Sequence, residues 1–416
     1  MHPVDALLPP DLVEPLTDEE LAAWLHLLHS AGVGREAARR LLARFGSPQA
    51  VLDAPVAQRA SVVDAASAAA LGQPPEGHAR RLATTLAWRS ALPNRRVMVL
   101  GDADYPPLLL NTADPPLLLY LAGRAELLSA PSLAIVGSRH ASAQGLDHAA
   151  SFARALSAQG WTIVSGLAAG IDGAAHAGAL AEVADGSGSG SGSGSTIAVI
   201  GTGLDVVYPR SHKALAQRVA EHGLMVSELA LGTPPLAAHF PQRNRLIAGL
   251  SLGTLVVEAA LRSGSLITAR LAAEAGREVM ALPGSLLAPQ SHGCHALIRQ
   301  GAVLVESVAQ VLEELNALPG RIPGSRSTET PARLPSGRAA MPPGDPPATP
   351  DAEAIAPRAS ADPVLRALGH DPQSLDSLIA RCGWAAPALS AHLLTLELDG
   401  QVARLPGGLY QRRQAT

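Results

Sequence analysis

The amino-acid sequence predicts an α/β protein built on a doubly wound, mostly parallel sheet, with a helical domain before it and a winged-helix-like domain after it. Residues 95–316 alternate short apolar runs with helix-length segments, which is typical of parallel strands joined by helices. Residues 1–90 carry the periodicity of short helices, and residues 361–416 carry helical stretches followed by two short strands. A chain of 416 residues is long enough for several domains.

The first domain, residues 1–90, is predicted to be helical. Thr17 and Glu20 have the spacing of a capping box, which begins an apolar-periodic helix. Gly32–Gly34 then precedes a second helix, predicted from Arg35 to Phe45. A glycine hairpin between two helices is typical of a helix-hairpin-helix (SAM-like) element, whose backbone N–H groups can contact phosphates. An ordinary helical hairpin explains the same pattern equally well.

The central domain, residues 95–316, is predicted to hold short buried strands rich in Val, Ile and Leu. They are Ala134–Val136, Thr162–Val164, Ile197–Ile200, Met225–Val226, Leu255–Val257, Val279–Leu282 and Ala302–Val305. In a doubly wound sheet, ligands bind beyond the carboxyl ends of the strands. The residues that follow each strand are therefore the candidates for a binding site.

Two segments interrupt this pattern. Residues 317–360 are dense in Pro, Ala, Gly, Ser and Thr, a composition that cannot form a packed core and predicts a disordered linker. Residues 186–195 are five Gly-Ser repeats between a helical segment and a strand. The α/β alternation continues on both sides of them, so they are predicted to expand a loop, with no evident role.

The last domain, residues 361–416, is predicted to be winged-helix-like. Ser374 begins the first helix of a helix-turn-helix, and Ala386–Glu397 forms the second. A two-strand ribbon over Val402–Tyr410 follows, turned at Pro-Gly-Gly. The second helix has no arginine or lysine, which disfavours recognition of duplex DNA. A protein contact or an auxiliary role is the favoured interpretation.

Composition excludes several classes of protein. The chain has 32 basic and 36 acidic residues, a net charge of −4, which is unlike a domain that coats duplex DNA through a diffuse basic surface. Cys294 and Cys382 are too few for a disulfide framework or a four-cysteine zinc site, and no metal is expected. An acidic N-terminal segment and the absence of a long apolar run predict a cytoplasmic protein without a membrane span.

Glycine and hydroxyl residues follow several predicted strands, where backbone N–H groups can bind an anion. Such residues recur in Gly137–Arg139, Ser165–Gly170, Gly201–Arg210 and Ser263–Ser265. The first exit lacks the second glycine of the dinucleotide fingerprint, and no acidic residue ends the second strand, so a nicotinamide cofactor is disfavoured. An anion-binding edge of this length fits a polyanion better than one nucleotide.

Aromatic residues narrow the choice of polyanion. The chain has only four Trp, four Tyr and three Phe, yet Tyr208 and Phe240 lie within three residues of Arg210 and Arg243. An aromatic face for a base beside a guanidinium for the backbone is what single-stranded nucleic acid requires. The alternative is that each ring packs beneath its loop as part of the core.

These residues together resemble the DNA-processing protein A (DprA/Smf) family. The matching motifs occur in order over residues ~95–310: Val-Gly-Ser-Arg ending at Arg139, Ser-Gly-Leu-Ala-x-Gly-Ile-Asp ending at Asp172, Tyr-Pro-Arg ending at Arg210, His-Phe-Pro-x-Arg-Asn-Arg ending at Arg245, and Ser-Gly-Ser-Leu-Ile-Thr ending at Thr268. The resemblance implies an extended Rossmann-like fold and a non-enzymatic protein that binds single-stranded DNA without a cofactor. It also implies a homodimer that protects incoming transforming DNA and loads the RecA recombinase onto it.

The resemblance also implies which residues contact DNA. Arg139 corresponds to the main phosphate-binding arginine and Arg210 to a second basic residue, whereas Ala169 stands where the family often has Lys or Arg. The full set of expected DNA-binding residues is Gly137, Ser138, Arg139, Ser165, Gly166, Gly170, Gly201, Tyr208, Arg210, Phe240, Arg243, Asn244, Ser263, Gly264 and Ser265.

The sequence also allows other interpretations of some of these residues. Asp172 and His176 lie four residues apart on one predicted helix, so they can pair or cap the helix instead of acting as acid and base. Asp205 is expected to fix its own turn. Gly253–Glu258 faintly resembles a motif of Rossmann-like nucleotide phosphoribohydrolases, which makes that enzyme class the main alternative. A duplex-DNA regulator acting through the winged helix is a third.

Overall fold

The computed structural model describes residues 16–181, 195–317, 362–369, 371–405 and 407–413. The Gly-Ser repeats before Ser195 and the predicted linker beyond residue 317 lie outside the described residues. Within them, the chain forms a helical N-terminal region, a large α/β region and a small winged-helix region, as the sequence predicts.

The central sheet has nine strands in the order β1-β2-β6-β5-β4-β3-β7-β8-β9. Pairing is parallel from β6 through β9 and antiparallel where β1 meets β2 and β2 meets β6, so the prediction of a mostly parallel sheet is confirmed. The pair β1 and β2 at the antiparallel edge was missed by the pattern of apolar runs. The strands are β1 (Arg95–Val99), β2 (Leu118–Gly123), β3 (Ser132–Val136), β4 (Thr162–Ser165), β5 (Thr196–Val199), β6 (Leu224–Ser227), β7 (Gly253–Val256), β8 (Glu278–Ala281) and β9 (Val303–Leu304).

Helices cover both faces of the sheet. Side chains alternate along β3: Ala134 and Val136 pack on one face, and Leu133 and Ile135 pack on the other. The chain runs outward from β3 to β6 and then returns to β7 on the opposite side of β3, which creates a switch point between β3 and β7. The helices of this region are α7 (Pro107–Leu110), α8 (Ala143–Ala158), α9 (Ile171–Ala179), α10 (Lys213–His222), α11 (His239–Leu250), α12 (Ser265–Glu274), α13 (His292–Arg299) and α14 (Val308–Asn316).

The N-terminal region packs six short helices against the antiparallel edge of the sheet. Thr17 and Glu20 form both hydrogen bonds of the predicted capping box. Trp24 and Trp88 share one buried core with Tyr120 of β2, so the helical region and the sheet edge bury a common apolar surface. The helices are α1 (Asp18–His29), α2 (Arg35–Phe45), α3 (Pro48–Asp53), α4 (Val56–Arg59), α5 (Ala65–Ala70) and α6 (His78–Ser90).

The C-terminal region is the predicted winged helix. It consists of α15 (Pro363–Leu368), α16 (Leu375–Cys382) and α17 (Ala386–Leu398), followed by a ribbon of β11 (Val402–Leu405) and β12 (Leu409–Arg412), with the short β10 (Gln373–Ser374) beside β12. A small apolar core that includes Leu378, Leu389 and Leu393 holds the three helices together.

Candidate nucleic-acid interface

A small pocket of about 80 Å³ opens at the carboxyl ends of β4 and β5, beside the first turn of α11. Loops from several distant parts of the sequence meet here, because the carboxyl ends of neighbouring parallel strands lie at the same edge of the sheet. Its lining residues are Arg139, Gly166, Ala168, Ala169, Gly201, Thr202, Tyr208, Pro209, Phe240 and Arg243.

Two aromatic rings and one arginine form the mouth of this pocket. The Arg139 guanidinium carbon lies 5.4 Å from the centre of the Phe240 ring. The Tyr208 and Phe240 rings are 5.5 Å apart and inclined at 41°. Tyr208 is 46% exposed and Phe240 is half-buried, so neither ring belongs to the core. The alternative of two core rings is thereby excluded.

Arg139 and Arg210 are both exposed. Neither guanidinium forms a hydrogen bond or an ion pair with any residue that the structure describes. Arg139 follows β3, and Arg210 begins a short 3-10 helix that leads into α10. Two unpaired cations on loops at the same end of the sheet leave their hydrogen-bond donors available to an anionic ligand.

The backbone of the loop Ser165–Gly170 is held in an unusual conformation. Leu167 has a φ of 58°, and Gly170 has a φ of 80°, both in the region that side chains disfavour. A Cβ on Gly170 would lie 2.2 Å from the Ser138 carbonyl oxygen, so only glycine lets the loops after β3 and β4 approach this closely.

Buried polar side chains support this loop from beneath. The Gly166 N–H donates to Asp172 (3.1 Å), and the Leu167 N–H donates to His176 Nε2 (3.3 Å). Asp172 and His176 therefore bind the loop backbone and do not pair with each other. Burial raises the pKa of Asp172 and lowers the pKa of His176 to about 3, so the imidazole is neutral at physiological pH.

Arg243 forms the floor of the pocket and is only 7% exposed. Its guanidinium donates to the Gly166 carbonyl (2.6 Å) and to the Val199 carbonyl, and a Cβ on Gly166 would lie 2.4 Å from it. Burial lowers the pKa of Arg243 to about 10, while the nearby Asp172 carboxylate opposes the shift. Arg243 thus places a buried positive charge under the pocket and holds the ends of β4 and β5 together.

Several residues predicted to contact DNA make contacts within the protein, through a hydroxyl group or through the close packing of a glycine. The Ser165 hydroxyl is fully buried and donates to the Ile135 carbonyl (2.6 Å), whereas Ser138 Oγ accepts from the His140 N–H (3.1 Å). Gly137 is required by packing, because a Cβ there would lie 2.6 Å from the Ile171 side chain. Gly201 is buried against Phe240, with its Cβ position 3.1 Å from the ring. These residues shape the loops that present Arg139 and Phe240.

A second group of predicted residues lies around the first turn of α12 and does not line this pocket. Asn244 donates to the Gly264 carbonyl (3.2 Å), and the Ser263 and Ser265 hydroxyls are 2.7 Å apart. Asn244 follows Arg243 on α11, so this cluster adjoins the pocket through that helix.

Sequence reasoning missed other contributors to the site. Thr202 and Pro209 line the pocket, beside the exposed Ala169 that the family resemblance had already singled out. The expectation for Asp205 is corrected, since its carboxylate accepts from the Gly232 N–H (2.8 Å) and so joins two loops instead of fixing its own turn. Among the described residues, no cluster of three metal-binding side chains occurs.

The fold and the site together define the class of this protein. Its doubly wound sheet carries an edge of exposed arginines, aromatic rings and glycine loops, and the sheet is combined with a helical hairpin domain and a winged helix. The chain belongs to the DNA recombination-mediator protein A family, whose sequence pattern matches residues 96–316. A DprA-like N-terminal HHH domain matches residues 18–73, and a DprA winged helix domain matches residues 342–408.

Similar proteins support this assignment along most of the chain. Protein Smf of Escherichia coli is 37% identical over 402 residues, which cover 96% of this chain and 97% of that protein. DNA processing protein DprA of Streptococcus pneumoniae is 48% identical over 213 residues, covering 51% of this chain and 72% of that protein. The X-ray structure of DprA from Streptococcus pneumoniae matches with a TM-score of 0.60 and 36% identity, covering 72% of this chain and 99% of that one. Within the described part of the chain, no helix could span a membrane.

Proposed function

We propose that this chain binds single-stranded DNA at the edge formed by Arg139, Tyr208, Arg210 and Phe240. The observation that carries the proposal is the position of the exposed, unpaired Arg139 guanidinium 5.4 Å from the Phe240 ring. The guanidinium can then bind a phosphate while the neighbouring ring stacks on a nearby base of the same strand.

A single strand fits this edge better than a duplex. In a duplex the base faces are stacked and inaccessible, whereas a single strand offers them to aromatic side chains. The pocket of about 80 Å³ is too small to hold a DNA double helix. The net charge of −4 adds no diffuse basic surface to hold duplex DNA, so affinity must come from a few placed contacts.

The cellular role that we propose is the protection of incoming DNA during natural transformation and the loading of RecA onto it, carried out by a cytoplasmic homodimer. Family membership supports this role, because the family is described as a recombination mediator and the Streptococcus pneumoniae relative as a DNA processing protein. Purified chain is expected to speed the start of RecA assembly on single-stranded DNA, measured as the lag before RecA begins to hydrolyse ATP. An unchanged lag would contradict the loading role.

The environment of Glu258 argues against the phosphoribohydrolase alternative. One of its carboxylate oxygens accepts from the Ser142 N–H (2.9 Å) and the other from the Ser142 hydroxyl (2.5 Å). Its carbonyl accepts from the Ser138 N–H (2.7 Å). Glu258 therefore fixes the loop after β3, which is a structural task. Release of free base from nucleoside monophosphates, lost on Glu258→Gln, would support the enzyme instead.

Fluorescence anisotropy with a labelled oligothymidylate tests the DNA-binding proposal. Arg139→Ala and Arg210→Ala in the full chain are each expected to weaken binding by about tenfold or more, since a charged hydrogen bond contributes roughly 1.5–3 kcal/mol. Arg154→Ala is the matched control: Arg154 is exposed on α8, well beyond the first turn of that helix. Equal affinities for wild type and both edge variants would place the strand elsewhere.

A further inference from the structure

Helix α11 connects the proposed DNA-binding pocket to the N-terminal helical domain. Phe240 and Arg243 line the pocket, and Arg245 follows on the same helix. At about 100° per residue, Arg245 lies roughly 200° around the helix from Arg243, on the opposite side. One rigid helix thus presents two residues to the pocket and one away from it.

The outward residue, Arg245, is held by two carboxylates. Its Nε lies 3.1 Å from Asp114 Oδ2, its Nη1 donates to the Asp114 carbonyl (2.6 Å), and its Nη2 binds Glu228. The Arg245 and Glu228 side chains are only 14% and 17% exposed, so solvent screens their interaction less than on an open surface. Glu228 directly follows β6, which fixes it to the sheet.

The N-terminal domain completes this network through α2. Arg35 lies 3.0 Å from Asp114 and 3.4 Å from Glu228, and Arg39 also binds Asp114. Three arginines therefore share two carboxylates, and two of the three arginines come from the N-terminal domain. Of the charges that follow the glycine hairpin, Arg35 and Arg39 are thus paired with carboxylates of the central domain.

A second contact joins the same domain to the opposite wall of the pocket. Leu204, in the loop that runs from Gly201 to Tyr208, packs against the apolar core that the N-terminal helices share with β1 and β2, as does Leu231. Thus α11 is joined to the N-terminal domain by ion pairs, and the loop after β5 packs on the core that this domain shares with the sheet edge.

We propose that the N-terminal domain positions the DNA-binding pocket, with Arg35 and Arg39 acting through Asp114, Glu228 and Arg245 on α11. This proposal rests on the proposed function. In it, Arg35 and Arg39 are positioning residues that do not touch the strand. Their loss lets α11 shift, so Phe240 no longer lies where it can contact Arg139 and stack on a base.

The test compares Arg35→Ala/Arg39→Ala with Arg40→Ala in the full chain. Arg40 lies on the same helix but is exposed and has no described partner, so it controls for loss of positive charge on α2. The double variant is expected to bind a labelled oligothymidylate about fivefold or more weakly, the lower end of a typical coupling between sites. Arg40→Ala is expected to bind like wild type, and Arg35→Lys/Arg39→Lys to recover most of the loss.

Two further measurements distinguish positioning from direct contact and from unfolding. Positioning leaves the dependence of affinity on salt unchanged, whereas loss of two phosphate contacts would lower its log–log slope by about 1.4. Hydrogen exchange of the α11 amides is expected to accelerate in the double variant while Trp24 and Trp88 keep their buried fluorescence. A reduced salt slope, or affinity and exchange equal to those of the control, would overturn the inference. Wild-type chain that fails to bind the oligonucleotide would refute the proposed function itself.

Discussion

The guanidinium of Arg139 lies over the ring of Phe240, 5.4 Å from its centre, although Arg139 follows β3 and Phe240 lies in the first turn of α11, far apart in the chain. The contact orients a cation that has no other described partner and keeps the ring at the mouth of the pocket. A phosphate and a base of one strand can bind the two groups together.

Shared binding of this kind makes the two residues energetically coupled. Arg139→Ala and Phe240→Leu are each expected to weaken binding of single-stranded DNA, and the double variant is expected to lose less than the sum of both losses. Residues in contact typically couple by about 0.5–3 kcal/mol. The measurement is a double-mutant cycle by anisotropy. Strict additivity would mean that the two side chains bind the strand independently.

Gly166 is expected to tolerate no side chain. In Gly166→Ala the new Cβ would lie 2.4 Å from the buried Arg243 guanidinium, which cannot move away without losing its hydrogen bonds to two backbone carbonyls. A loss of roughly 1–3 kcal/mol in unfolding free energy is expected from overpacking. Urea denaturation measures it.

Gly264→Ala is the control for this substitution. Gly264 has ordinary backbone angles, and its Cβ position meets no atom within 4 Å. Its stability is expected to match wild type. Equal losses in both variants would show that the Arg243 packing is not what requires a glycine at position 166.

Substitution of Ala169 by arginine is expected to strengthen the binding of single-stranded DNA. It is exposed and lines the pocket beside Arg139, so Ala169→Arg adds a cation where a strand is expected to pass. Affinity for single-stranded DNA is expected to rise, with the slope of log affinity against log salt steeper by about 0.7 for one new phosphate contact. Ala177→Arg, an exposed position on α9 outside the pocket, is expected to change neither. Equal gains in both variants would indicate a general effect of charge.

Acid is expected to destabilise the fold through His176. Burial lowers its folded pKa from 6.5 to about 3, so the unfolded chain binds the proton more readily between these values. The stabilisation is complete above pH 6.5 and is lost as the pH falls, by up to ~1.4 kcal/mol per pH unit. The neighbouring Asp172, whose pKa is raised by burial, acts in the opposite direction.

Comparing His176→Gln with wild type isolates the histidine from Asp172. The variant is expected to show a shallower fall in unfolding free energy between pH 7 and pH 5, measured by urea denaturation at each pH. His140→Gln, at an exposed position, is expected to keep the wild-type slope. Identical slopes for all three chains would show that folding does not lower the pKa of His176.

The local pattern was sufficient to predict many elements of this chain. The capping box at Thr17, the helix from Arg35 to Phe45 and every strand from β3 to β9 follow from apolar periodicity, glycine hairpins and caps, which act over a few residues. Exposed residues of the loops that follow β3 and β5, such as Arg139 and Tyr208, were also identified, because they lie in the motifs that carry the family resemblance.

Tertiary structure decided which of those residues support the loops from beneath and which remain free to bind a ligand. Sequence places Ser165, Arg243 and Arg139 in one group, yet the first two are buried supports and only the third is free to meet a ligand. The pairing of Arg139 with Phe240, and of Arg245 with the N-terminal domain, depends on which strands are neighbours and which side of α11 each residue occupies. Local periodicity fixes the elements, but burial and long-range charge pairing are set by sheet order and packing, which no short segment encodes.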